Sequence, residues 1–231
     1  MADPIEPPEC LWQLPDPLGP RLSGDLVAVG ADLEPGTLLA AYRTGLFPMH
    51  VETDEGRKVG WWSPMERAVI ELNALAMSRS LRRSLRRFTW TIDEAFDSVV
   101  AQCARTHEDP QWIDDDIKQA YHRLHQLGWA HSIEVWQGGQ LVGGLYGVSI
   151  GAMFNGESMF HLVPDASKVA LVRLVEVMNR QPHPDALLDV QWRTEHLGRM
   201  GATEISCQDY VGRVRRAIAA PSIRWEREIA D

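Results

Sequence analysis

Lysine is almost missing from this 231-residue chain: Lys58, Lys118 and Lys168 are the only three, and arginine carries the rest of the basic charge. Basic charge of either kind is in deficit, with 23 Lys+Arg against 32 Asp+Glu and a formal net charge of −9. So acidic a chain is no general nucleic-acid coat, because nonspecific phosphate binding needs an excess of cations. Any nucleic-acid contact has to come from a local basic patch. Cysteine is scarce too: Cys10, Cys103 and Cys207 are odd in number and far apart. That argues against a disulfide framework and fits reduced thiols in a cytoplasmic protein. CxxC, HxxxH and HExxH spacings are absent, so no metal site is expected. No run of about 18 apolar residues offers a transmembrane helix. The start, Met1-Ala2-Asp3-Pro4-Ile5-Glu6, lacks the basic and apolar regions of a secretory signal.

What is there reads as globular: 45% hydrophobic and 24% charged residues, with nine tryptophans to pack or bind amphipathically. The first 35 residues are rich in Pro and Gly, with one strand expected at 26–29. A short helix over 36–45 ends at Gly45, and the polar stretch 50–60 reads as a loop or hairpin tip. Trp61-Trp62-Ser63-Pro64 marks a boundary, giving a small N-terminal domain over 1–63 and a larger domain over 64–231. In the larger part, strands are expected at 67–72, 88–92, 130–136, 140–148, 151–155 and 187–191. Helices are expected at 78–87, 93–105, 114–127, 166–179, 193–200 and 208–219. Gly138-Gly139 is a hairpin signal. Meandering strands with helices between them make the fold class α+β.

Three constellations carry chemistry. Arg79, Arg82, Arg83, Arg86 and Arg87 follow helical spacing, so all five share one face, while Met77, Leu81, Leu85 and Phe88 anchor the other. No acid lies within 79–87 to pair with them, and like charges repel at i,i+4. A phosphate-backbone site is favoured over a solvated face; such contacts position a nucleic acid without reading its sequence. The run from Gly143 to Phe160 gathers Gly, Met and Phe around one acid, Glu157. Glycines in strands permit close approach of a ligand, and a carboxylate in apolar company needs a partner. Finally, alternation along 188–191 puts Asp189 and Gln191 on one side and Leu188 and Val190 on the other. Seen alone, an Asp–Gln pair is more often structural than catalytic. Leu171, Leu174, Val175 and Met178 have core spacing. His107, His122, His125, His131, His161, His183 and His196 lack ligand spacing, apart from a loose His122/His125 pair, and read mostly as surface or satisfied histidines.

An ordered set of segments adds to this: Gly45-Leu-Phe-Pro, Trp61-Trp-Ser-Pro64, Ser78-Arg-Ser80, 121–128, 130–136, 141–147, Gly156-Glu-Ser-Met-Phe160, Ala166-Ser-Lys168 and Asp189-Val-Gln191. From about Asp25 to Tyr210 the chain resembles the bacterial leucyl/phenylalanyl-tRNA–protein transferase family. The resemblance implies a small N-terminal domain followed by a GNAT-like (acyl-CoA N-acyltransferase-like) catalytic domain. It implies transfer of Leu or Phe, and Met as a further candidate, from aminoacyl-tRNA to proteins beginning with Arg or Lys, creating an N-end rule degradation signal. It implies no cofactor, since the aminoacyl ester is already activated. Leu145, Met159, Leu171, Leu174 and Met178 would hold the aminoacyl side chain. Met49 and Trp112 would lie near the terminal adenosine, with Lys168 and the five arginines on the tRNA. Glu157, Asp189 and Gln191 would be the catalytic group, Asp189 either drawing a proton from the acceptor amine or only positioning it. An acyl-CoA N-acyltransferase and a binding module without turnover stay open beside this reading. The helix opening at Pro164-Asp-Ala-Ser-Lys168 lacks the glycines of a pyrophosphate loop, which counts against CoA. No oligomer signal is present, so a monomer with tRNA and protein partners and no membrane is expected.

Overall fold

The structure, a computed structural model, describes residues 3–106 and 113–226. Its α and β elements are mixed, as an α+β chain requires, and two sheets organise them. In the first, β1 (Leu26–Val29), β2 (Phe47–Thr53) and β3 (Gly56–Trp62) run antiparallel in the order β1-β3-β2. The polar stretch 50–60 is strand almost to its turn, with Thr53 opposite Gly56. Opposed charges hold it: Glu52 faces Arg57 across the ladder, within ion-pair reach at 4.0 Å. Between β1 and β2 lies α1 (Pro35–Thr44), which opens on proline and closes on Gly45 at φ 99°, a conformation that only glycine adopts cheaply.

The second sheet has seven strands in the order β10-β4-β9-β8-β7-β6-β5. They are β4 (Glu66–Ile70), β5 (Thr89–Ile92), β6 (Ala130–Gln137), β7 (Gln140–Ile150), β8 (Met153–His161), β9 (Leu187–Gln191) and β10 (Ala202–Ser206). All neighbours are antiparallel except β8 and β9. One face packs against α3 (Phe96–Thr106), α4 (Asp115–Gln126) and α7 (Cys207–Ala219), the other against α2 (Arg79–Ser84) and α5 (Ala166–Asn179). Alternation decides which face each side chain takes: on β7, Leu145 points to the α5 side and Tyr146 to the α3–α4 side. The core on the α3–α4–α7 face also takes in Leu38, Leu39, Tyr42, Phe47 and Trp61, so residues before and after position 63 share one apolar cluster.

Three expectations change here. β10 is a strand that periodicity did not signal. β8 continues to His161 rather than stopping near 155, because Gly156 sits opposite Gly147 at a register shift; the strand bends there without ending. And the glycines of β7 make room for the protein itself, not for a ligand. A Cβ on Gly143 would stand 2.5 Å from that of Ala166, and one on Gly147 would stand 2.0 Å from the Asn155 carbonyl oxygen. The first lets α5 settle directly on the sheet.

Candidate active site

β8 and β9 pair in parallel for only three residues, from Met153 opposite Leu187 to Asn155 opposite Asp189. β8 then follows β7 to His161, while β9 ends at Gln191. Past the last pair lies a cavity of about 390 Å³, with Gly156, Glu157, Ser158 and Met159 on one side and the 188–197 segment on the other. That is the lower end of the size range for small-molecule sites.

Its walls are mostly apolar. Leu145, Met159, Leu171 and Leu174 all line it, joined by Leu188, Val190 and Leu197. Met178 does not, which corrects the pocket inferred above. It stands on the same helix face as Leu174 but about 6 Å further along the axis. There it is buried, against Ala152, Val177 and Ile223 around a separate small recess. Met49 lines the cavity beside Phe47 and Trp192. The Trp192 ring meets Phe47 edge-on at 5.1 Å and Trp62 at 6.3 Å, and its indole N–H donates to Asp25 Oδ2 at 2.9 Å. This aromatic corner escaped the sequence reading, although Trp192 directly follows the Asp189-Val-Gln191 motif. Trp112 lies outside the described residues.

Glu157 brings a carboxyl into the cavity, half-buried. Its partners come from helices far away in sequence: Tyr42 of α1 donates to Oε1 at 2.8 Å and Tyr121 of α4 to Oε2 at 2.7 Å, the two hydroxyls lying 2.5 Å apart. Burial pushes the Glu157 pKa up. The tyrosine hydroxyls pull it down, the Asp189 charge adds to the rise, Arg67 opposes it, and the balance is about 7. The carboxyl is therefore close to half-ionised at neutral pH.

Asp189 and Gln191 do not share a side. β4 shifts register against β9 between Ala68 and Val69, and Gln191 has φ 55°, so strict alternation breaks at the strand end. Gln191 lines the cavity with Leu188 and Val190, and its buried Nε2 has no hydrogen-bond partner among the described residues. Asp189 turns away from the cavity and is fully buried. It accepts from Arg67 Nε (2.8 Å) and Nη2 (2.6 Å), the Tyr210 hydroxyl (2.8 Å) and the Gln191 backbone N–H (2.9 Å). Arg67 is another residue the sequence reading missed, as it missed Tyr42 and Tyr121. Its guanidinium lies between the rings of Phe47 (4.6 Å) and Tyr210 (4.3 Å). Burial works against its charge, but Asp189 and then Tyr210 more than offset that and hold its pKa above the usual value.

The arginine segment sits outside the cavity. Ser78 caps α2 by accepting the Leu81 N–H, and the helix tightens into a 3₁₀ turn over Leu85–Arg87 rather than running on as one face. Arg79, Arg82, Arg83, Arg86 and Arg87 are nonetheless all exposed, and Leu81 and Phe88 are buried beneath them. None of the five is ion-paired among the described residues. Ser84 ties this segment to the start of α5 by donating to Asp165 at 2.8 Å; the same carboxylate takes Lys168 at 3.0 Å. Lys168 does not line the cavity.

Away from the cavity, His50, Asp114 and Asp116 bring ligand atoms within 4.8 Å of one another. The His50 imidazole (2.9 Å) and the Arg57 guanidinium (3.3 Å) already crowd one Asp114 oxygen, which works against a cation there. All three cysteines are unpaired, and burial pushes the Cys103 thiol up to about 12.

An apolar cavity ending on a carboxyl and a free amide can seat a small apolar group and direct polar chemistry at its end. Residues 31–65 match the N-terminal domain of leucyl/phenylalanyl-tRNA protein transferase, and residues 69–215 match the transferase itself. The leucyl/phenylalanyl-tRNA–protein transferase of Anaeromyxobacter dehalogenans is 47% identical over 223 residues, covering 94% of this chain and 93% of that protein. That of Shewanella denitrificans is 44% identical over 205 residues, covering 87% and 86%. Among solved structures, a protein of unknown function from Staphylococcus epidermidis aligns at a TM-score of 0.44 and 13% identity, over 77% of this chain and 66% of that one. This chain belongs to the leucyl/phenylalanyl-tRNA–protein transferase family, and it is an aminoacyltransferase.

Proposed function

We propose that the enzyme moves Leu or Phe, with Met as a further donor, from aminoacyl-tRNA to the α-amino group of proteins beginning with Arg or Lys. The product then carries an N-end rule degradation signal. The observation that carries this reading is the cavity between β8 and β9: an apolar wall of Leu145, Met159, Leu171 and Leu174, closed by Glu157 and Gln191. Such a wall suits an uncharged, apolar side chain, and the polar end suits the amine and ester beside it. A parallel strand pair that parts around a cavity also supports a GNAT-like assignment for the part from residue 64 onward, with 1–63 as its N-terminal domain. Three unpaired cysteines support a cytoplasmic setting.

The aminoacyl ester is activated already, so the protein's work is to position and to manage protons. The acceptor amine must be neutral to attack, and its ordinary pKa is about 7.7–8.0. Glu157, with its pKa near 7, faces the donor amine. Gln191 presents an unpartnered amide to the incoming amine. Asp189 acts as a positioning residue: with both oxygens occupied and no surface in the cavity, it holds the Gln191 backbone rather than taking a proton. A backbone N–H where β8 leaves β9 steadies the oxyanion. The exposed arginines of 79–87, with Lys168, hold the tRNA backbone.

One assay tests the reading. The protein is incubated with labelled Leu-tRNA and an Arg-starting peptide, without ATP or CoA. Label linked to the peptide is expected. Its absence, with chargeable tRNA and folded protein, refutes the proposal; label that reaches the peptide only from a labelled acyl-CoA offered in place of the tRNA points to the acyl-CoA chemistry instead.

A further inference from the structure

His196 is the one histidine among the described residues that lines the cavity, on α6 (Glu195–Arg199), across from β8. Its Nε2 is buried and has no hydrogen-bond partner. A buried polar atom left alone costs free energy comparable to a lost hydrogen bond, so it marks a place where a ligand atom is wanted. Burial, then the neighbouring charges of Lys168, His161 and Arg199, lower the His196 pKa and keep the ring neutral near pH 7. Lys168 and Arg199 are already answered, by Asp165 at 3.0 Å and by Glu195. The lip is therefore not a bare cationic hole waiting for an anion. It offers one uncharged imidazole nitrogen, and a hydroxyl, which donates and accepts, satisfies either tautomer.

We propose that His196 is a donor-positioning residue whose Nε2 hydrogen-bonds the free ribose hydroxyl of the donor's terminal nucleoside, next to the aminoacyl ester. The inference rests on the aminoacyl-transfer reading above. It follows from where the polar atoms lie. The aminoacyl side chain occupies the wall made by β7, β8 and α5, and Glu157 and Gln191 stand at its polar end. The sugar that bears the ester comes next, and the wall left to meet it is the 192–197 segment with Phe47 and Met49, whose side chains carry no hydrogen-bonding nitrogen or oxygen. Thr194, which also lines the cavity, already accepts the Leu197 N–H through its hydroxyl, leaving His196 as the lip residue with an unused nitrogen.

The test compares two minimal donors, leucyl-adenosine and the same compound lacking the free ribose hydroxyl, with an Arg-starting peptide as acceptor. His196→Ala is expected to raise the donor KM about tenfold on leucyl-adenosine and to leave the acceptor KM unchanged. On the deoxy donor, wild type and variant should be alike. His196→Gln, whose amide nitrogen falls near the Nε2 position, should recover most of the loss. An equal effect on both donors, or an effect on the acceptor KM, overturns the proposal. So does an effect seen only with donors that carry the 5′-phosphate, which would assign the residue to phosphate. If His196→Ala does not fold, His196→Phe, which keeps a ring there without its nitrogens, carries the same comparison of donors. Wild-type protein that transfers from neither donor nor from Leu-tRNA counts against the aminoacyl-transfer reading itself; the assignment of His196 is decided by the difference between wild type and variant.

Discussion

Arg67 and Asp189 meet face to face, both fully buried, with the guanidinium 2.8 and 2.6 Å from the two carboxylate oxygens. β4 carries one and β9 the other, so the pair locks the strand that ends at Gln191. A buried ion pair contributes little net stability by itself, but removing one partner strands the other's charge. Asp189→Asn should therefore cost about 3–5 kcal/mol in chemical denaturation. Replacing both, as Arg67→Met with Asp189→Leu, should restore part of that loss. In the folded variant, a fall in turnover with acceptor KM retained would return a proton-transfer role to Asp189. A matched change in both supports positioning.

Glu157 links pH to stability and to rate. Its pKa rises on folding from 4.5 to about 7, so between those values the folded state binds more protons than the unfolded one. Stability is fully present below about pH 4.5 and falls as pH climbs through 7, by on the order of 2–3 kcal/mol. Glu157→Gln should flatten that fall in denaturation curves taken across pH 4–8. In kcat/KM against pH, the limb rising near 7 should vanish in Glu157→Gln. Tyr121→Phe removes a donor that lowers this pKa, and should move the limb upward.

The shape of the cavity predicts donor preference. Leu174→Phe fills space on the aminoacyl wall and should lower transfer of Phe relative to Leu by about tenfold, a change typical of one misfitted apolar group. Met178→Ala lies outside the cavity. It should cost about 2–5 kcal/mol of stability and leave the Leu/Phe ratio unchanged. Competition between the two charged tRNAs reads the first, and thermal unfolding the second.

The exposed arginines should act through salt. Each phosphate contact steepens the fall of log affinity with log salt by about 0.7–0.9. Replacing Arg82, Arg83 and Arg86 with Ala should weaken aminoacyl-tRNA binding and flatten its salt dependence. Transfer from leucyl-adenosine, which has no backbone phosphates, should be unaffected. An unchanged slope would remove this segment from the tRNA surface.

Much of the site could be read along the chain, and the parts that could not share a cause. Leu145, Met159, Leu171 and Leu174 come from the family resemblance; apolar periodicity, which is local, places Leu171 and Leu174 only in the core. The arginine segment announces itself, since its spacing and lack of acids need no tertiary contact to be seen. Met178 obeys the same period as Leu174 yet falls outside the cavity, because period reports the face of a helix and not the distance along it. Asp189 and Gln191 read as one side of a strand until a register shift against β4 separated them. Arg67 looked like any residue of a strand; nothing near it in sequence hints at Asp189, 122 positions on.

By itself the sequence determined the α+β class, most of the helices and strands, the apolar wall, the basic ledge in an acidic chain, and the family. The class, the elements and the arginine segment follow from spacing and composition, which act over a few residues; the wall and the family follow from the resemblance carried by the ordered segments. Only the tertiary structure decided which polar groups face the cavity. It turned Asp189 inward onto Arg67, left the amide of Gln191 and the Nε2 of His196 unpaired at the cavity wall, and set Tyr42 and Tyr121 on Glu157. The reason is physical: desolvation and hydrogen bonding depend on what surrounds a group in space, and for these residues the surroundings come from strands and helices far apart in the chain.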